Sequence, residues 1–119
     1  MAAKVLVVDD DTAVSYIVAE TLRDEAFTVS VASNGLEALH LLEGGLDPDA
    51  LVVDLAMPVM DGRELVREMR QRGWDVPVLV LSAVGARQAM KELGAEAYLE
   101  KPFDLNRLVA RVRTLTEHN

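Results

Sequence analysis

Short runs of apolar residues alternate along this chain with stretches in which apolar positions recur every three or four residues. The runs predict strands at Lys4–Val8, Thr28–Ala32, Leu51–Val53, Val78–Leu81 and Ala97–Leu99. Three of these are apolar nearly throughout, which fits strands covered on both faces. The stretches between them predict helices. In the first, Val14, Ile17, Val18 and Leu22 share a face, so Ser15, Tyr16 and Arg23 should point outward. Leu36, Leu39 and Leu42 do the same in the second, opened by Asn34 with Glu37 three places on. In the third, Leu65, Val66 and Met69 follow a cap at Asp61 with Glu64 three places on. The fourth, Ala86 to Leu93, is short, and the fifth carries Leu105, Leu108, Val109 and Val112 after a cap at Asp104.

Five strand–helix units in succession imply a parallel sheet with helices on both faces. Right-handed crossovers restrict the topology further, and five strands fit the doubly wound order 2-1-3-4-5. In such a sheet the site lies outside the carboxyl ends of the strands, near the switch point between strands 1 and 3. No internal repeat, linker or low-complexity tract interrupts the pattern, and 119 residues suit one domain, with no output domain following in this chain.

Composition removes whole classes of function. The chain has 20 acidic and 12 basic residues, a net charge of −8, which opposes direct nucleic-acid binding. It has no cysteine, so disulfides and thiolate metal sites are excluded. No apolar run approaches membrane-spanning length, and the opening "MAAK" lacks the apolar stretch of a signal peptide. A cytoplasmic location is expected.

The topology also gathers chemistry at one rim. Strand 1 runs into Asp9, Asp10 and Asp11, strand 3 ends in Asp54, strand 4 in Ser82, and strand 5 runs into Lys101. Hard oxygen ligands from Asp9, Asp10 and Asp54 suit Mg²⁺, which offsets their mutual repulsion. A carboxylate can attack phosphorus and form an acyl phosphate. An ammonium and a hydroxyl can hold the phosphoryl oxygens. Each residue alone has a plainer reading: Asp10 or Asp11 caps the first helix, Asp54 caps the next turn, Ser82 is structural and Lys101 is a solvated charge. Their convergence on one sheet edge favours the joint reading.

The segments "VLVVDDD", "LVVDLAMPVMDG", "VLVLSA" and "GAEAYLEKPF" resemble the response-regulator receiver domain of bacterial two-component systems, over nearly the whole chain. The resemblance implies a flavodoxin-like fold and a phosphorelay role. It implies that Asp54 is the phosphoacceptor and that Asp9 and Asp10 hold Mg²⁺ with Asp54 and the backbone carbonyl of Ala56. Ser82 and Lys101 would bind the phosphoryl oxygens, and Lys101–Pro102 would be a cis peptide bond. Such domains are signalling modules, not enzymes on another substrate. They catalyse their own phosphorylation from a phosphohistidine of a sensor histidine kinase or phosphotransfer protein, and their own dephosphorylation. Ser82 and Tyr98 would form the switch that reshapes the helix 4–strand 5–helix 5 face toward a downstream effector, a fused output domain or a phosphorylation-dependent dimer.

Two features depart from the family. Between Ser82 and Lys101 the chain is about one helical turn shorter than expected, a loss within helix 4 or the loop before it. "KPFDLNRLVARVR" resembles the fifth helix of receivers joined to winged-helix regulators, but Arg107 stands where those carry an acidic residue used in dimer pairing. That speaks against their symmetric dimer. Among alternatives, "DDDTA" resembles the start of haloacid-dehalogenase phosphatases. Ala13 stands where their motif wants Thr or Val, and only Asp104 follows the Lys. A flavin carrier of similar topology would need a Ser-, Thr- and Gly-rich first loop. A phosphate-independent interaction module remains the other option, kept open by the short fourth helix.

Overall fold

The computed structural model describes residues 2–117. The chain forms β1 (Lys4–Val8), α1 (Thr12–Asp24), β2 (Thr28–Ala32), α2 (Gly35–Glu43), β3 (Ala50–Asp54), α3 (Gly62–Gln71), β4 (Val78–Ser82), α4 (Ala86–Leu93), β5 (Ala97–Glu100) and α5 (Leu105–Thr116). All neighbouring strands pair in parallel, in the order β2-β1-β3-β4-β5. The expected topology is therefore the observed one. β3, β4 and β5 run one residue further than expected at their carboxyl ends, and β3 starts one residue earlier.

Alternation along each strand builds two cores. Leu6, Val8, Leu51, Val53, Val78 and Val80 face one side of the sheet, where α2, α3 and α4 pack. Val5, Val7, Ala50, Val52, Leu79 and Leu81 face the other, under α1 and α5. This explains the unbroken apolar runs: β3 is buried at every position, because helices cover both of its faces.

The helix caps follow the sequence closely. Asp11, not Asp10, caps α1, accepting from the amides of Ala13 and Val14. Asn34 caps α2 at 2.8 Å from the Glu37 amide, and Glu37 reaches back to the Ser33 amide. Asp61 and Glu64 form a reciprocal capping box at the start of α3. Asp104 caps α5 through the Asn106 amide at 2.6 Å.

Two helix faces differ from expectation. Ile17 is 51 % exposed and Leu36 is 39 % exposed, whereas Ser15 is buried. The packed stripe of α1 runs through Ser15, Val18, Ala19 and Leu22, and that of α2 through Gly35, Ala38, Leu39 and Leu42. Small residues let these helices approach the sheet closely, so the stripe is rotated away from the bulkiest side chains. The Ser15 hydroxyl is satisfied by donating to the Thr12 carbonyl at 3.2 Å. Tyr16 and Arg23 do face outward. Among the described residues, no helix is long and apolar enough to cross a membrane.

Candidate functional site

β1 and β3 are adjacent, and both end at the same rim. That places Asp9, one residue past β1, beside Asp54, the last residue of β3. Both are nearly fully buried, while Asp10 is exposed. Carboxylate oxygens of Asp9, Asp10 and Asp54 lie within 4.8 Å of one another. Because Asp11 takes the capping role, Asp10 is released from it. Its carboxylate accepts no hydrogen bond among the described residues.

Lys101 brings the counter-charge. Its Nζ lies 3.3 Å from Asp9 Oδ2 and 3.2 Å from Asp54 Oδ1. The other oxygen of Asp9 accepts from the Asp11 amide at 2.9 Å. A backbone bond from the Lys101 amide to the Ser82 carbonyl, 2.9 Å, ties the end of β5 to the end of β4. The Lys101–Pro102 peptide is cis, as expected.

These contacts set the protonation of the pair. Burial pushes the Asp54 carboxyl above its ordinary pKa, and the negative charge of Asp9 pushes it further. The Lys101 ammonium opposes both without cancelling them. Burial also disfavours the Lys101 cation, but Asp9 and Asp54 outweigh it and raise its pKa, so it stays charged. One ammonium therefore faces three carboxylates, and the rim keeps an excess of negative charge. The donor set is all oxygen, partly open to solvent at Asp10, and fits a hard divalent cation that retains water.

The loop after Asp54 is shaped around it. Gly62, at the start of α3, donates its amide to the Leu55 carbonyl at 3.1 Å. A Cβ at Gly62 would stand 2.5 Å from the Asp54 carbonyl oxygen, so no larger residue fits without moving the acceptor's backbone. Between them the Met60 amide donates to the Pro58 carbonyl at 2.9 Å, closing a γ-turn about Val59. Val59 has φ +70° and is 73 % exposed. A β-branched residue is strained there. Ala56 is exposed two residues past Asp54.

Ser82 is paired within its own loop. Its hydroxyl donates to the Val84 carbonyl at 2.8 Å and accepts from the Val84 amide at 3.3 Å. Tyr98 is half-buried and packs on the core beneath α2, α3 and α4. It registers with Val80, two residues before Ser82, so the two side chains share one face of the sheet. The structure thus gathers Asp9, Asp10, Asp54 and Lys101 into direct contact or near it, with Ser82 on the adjacent strand end. Sequence reasoning missed the strain at Val59 and the hold of Val84 on Ser82. Nothing in an apolar residue between Pro58 and Met60 signals a left-handed backbone, and a backbone partner leaves no mark in the sequence.

Comparisons with known proteins agree with this fold. Residues 5–113 match the family described as the response regulator receiver domain. The response regulator MprA of Mycobacterium ulcerans is 45% identical over 118 residues, covering 97% of this chain and 50% of the relative. The chain spans about half the length of the curated relatives it matches. A putative response regulator from Chloroflexus aurantiacus superposes with a TM-score of 0.92 at 36% identity, covering 99% of this chain and 100% of the other. The chemotaxis protein CheY4 of Vibrio cholerae gives 0.87 at 32% identity, covering 97% and 99%. The receiver domain of the sensor histidine kinase PA1611 from Pseudomonas aeruginosa gives 0.89 at 26% identity, covering 99% and 100%. That last structure has a magnesium ion coordinated in its active-site cleft.

Proposed function

The chain belongs to the response regulator receiver family and serves phosphorelay signalling, and on that premise we propose that Asp54 is its phosphoacceptor. The supporting observation is the rim itself: Asp54 joins Asp9 and Asp10 within 4.8 Å, and Lys101 bridges Asp9 and Asp54. We read the whole chain as one receiver domain. The phosphodonor is a phosphohistidine on a sensor kinase or phosphotransfer protein, in the cytoplasm. The output is an effector or a fused domain.

An ionised Asp54 oxygen attacks phosphorus in line with the donor imidazole. The phosphorus–nitrogen bond breaks, its electron pair stays on the histidine nitrogen, and a mixed anhydride forms on Asp54. Asp9, Asp10, Asp54 and the Ala56 carbonyl would hold Mg²⁺, which supplies counter-charge to the phosphoryl oxygens when bound. Lys101 exchanges its contact to Asp54 for one to a phosphoryl oxygen and keeps Asp9, so its ionic partner count is unchanged. Ser82 gives up its bond to Val84 to donate to another oxygen. Water attack on the same phosphorus reverses the modification and returns the Asp54 carboxylate.

Release of Val84 links chemistry to shape. As the Ser82 hydroxyl moves toward the phosphoryl group, the loop before α4 loses its tether and Tyr98 gains room to turn inward. The α4–β5–α5 face changes as a result. On the donor side, Tyr16 and Ile17 of α1 stand exposed near the rim, and with Arg23 they are suited to choosing the kinase.

The test is Asp10→Ala. Asp10 is exposed and holds no structural bond, so the variant should fold normally. It should lose Mg²⁺-dependent phosphorylation by a small phosphodonor, read by intact mass. Phosphorylation at the wild-type level would remove the metal assignment.

A further inference from the structure

The chain is acidic overall, yet its positive charges are unevenly used. Arg23, Arg63, Arg70, Arg72, Lys101 and Arg113 are held in ion pairs. Among the described residues, the other six cations have no carboxylate within ion-pair distance: Lys4 and Arg67 stand apart, and the remaining four are Arg87 and Lys91 on α4 and Arg107 and Arg111 on α5. All four are exposed.

Their placement is fixed by their neighbours. On α4, Glu92 accepts from Arg63 of α3 at 3.0 Å and from Gln88 at 3.3 Å, so Gln88 and Glu92 mark the side toward α3. Arg87 and Lys91 each precede these by one residue, about 100° around the helix, on the flank away from α3. On α5, Arg113 pairs with Glu25 at the end of α1. Arg107 and Arg111 occupy the opposite flank, where they line a cavity of about 570 Å³ with Tyr98, Glu100 and Phe103. Between the two helices runs β5, the last strand of the sheet, paired only with β4. Four of the six unpaired cations therefore flank an open strand edge from both faces of the sheet. Glu100 and Asp104 oppose them, and the Asp104 carboxylate is occupied in capping α5.

We propose that the α4–β5–α5 face takes an acidic segment of a protein partner and not a second copy of this chain. The inference rests on reading this face as the output surface, and it names the chemistry of what binds there. A symmetric self-pairing would press a positive face against its own copy, which costs free energy and steers encounters apart. A carboxylate-bearing segment meets four unpaired cations, an open row of backbone groups and the half-buried ring of Tyr98.

The test uses the ¹⁵N-labelled chain with Mg²⁺, with and without beryllofluoride, which copies a phosphoryl group on a carboxylate. The probe is a short glutamate- and leucine-rich peptide, with a glutamine-for-glutamate version as control. Amide shifts should fall on α4, β5 and α5 with the acidic peptide. Affinity should drop roughly tenfold in the Arg107→Glu, Arg111→Glu double variant, whose own spectrum reports its fold. It should drop with added salt as well. Equal binding of the glutamine peptide, shifts centred on Lys4 or Arg67, or equally tight binding of a DNA duplex would overturn the proposal. So would a dimer of the beryllofluoride form by sedimentation velocity. Beryllofluoride shifts around Asp54 report the acceptor separately: their absence removes the acceptor reading, while their presence with no acidic preference removes this inference alone.

Discussion

At Asp54 burial and nucleophilicity conflict. Burial first, and the charge of Asp9 second, favour the protonated carboxyl, while attack on phosphorus needs the carboxylate. Without a divalent cation, the folded state therefore holds this proton more tightly than the unfolded chain. Stability is intact below the unfolded pKa and is lost as pH rises through the raised folded pKa. Asp54→Asn removes that cost. The metal-free variant should melt higher than wild type at neutral pH, with the gap closing in acid; a lower melting temperature at neutral pH would contradict the burial argument. Val59 offers a second residue-scale test. Its left-handed backbone suits glycine, so Val59→Gly should stabilise the protein by about 1 kcal/mol in denaturant unfolding. Asp54 and Lys101 were legible in the sequence because the parallel topology brings the ends of their strands to one rim. Val59 was not, since its strain is a backbone property.

The elements were read correctly in kind and order because each strand is a short run rich in apolar residues and each helix is capped by Asp or Asn, save α4. That helix begins at Gly85, with no side-chain cap, and was found from its length and spacing alone. Helix rotation was less legible. Periodicity weighs bulky residues, so it placed Ile17 and Leu36 inward, while the structure packs Ser15, Ala19, Gly35 and Ala38 against the sheet. Close approach of an element is set by what is small. The same rule applies at α3, whose first residue touches the acceptor's backbone. Gly62→Ala should cost about 1–3 kcal/mol, because the contact is with a backbone oxygen that cannot rotate away. It should also slow phosphorylation by displacing Asp54. Unchanged stability would mean that α3 can shift without strain.

Over the whole molecule, one cluster couples the ends of three strands, so occupancy of the rim should be felt as global stability. Mg²⁺ binding to the folded state alone raises the melting temperature in proportion to the logarithm of its concentration. Wild type should show that rise, and Asp10→Ala should not. Charge was the least legible property at this scale. A net −8 opposes a nucleic-acid role, but it concealed that four cations remain unpaired around β5. Only the folded arrangement separates cations used in ion pairs from those left unpaired. The central claim, that Asp54 accepts the phosphoryl group, is tested most directly by treating the protein with a small phosphodonor and Mg²⁺ and mapping the modification by mass spectrometry. A single acid-stable, hydroxylamine-labile phosphate on Asp54, absent from Asp54→Asn, is the result expected. A phosphate on Ser82, or one retained at the wild-type level in Asp54→Asn, would contradict it.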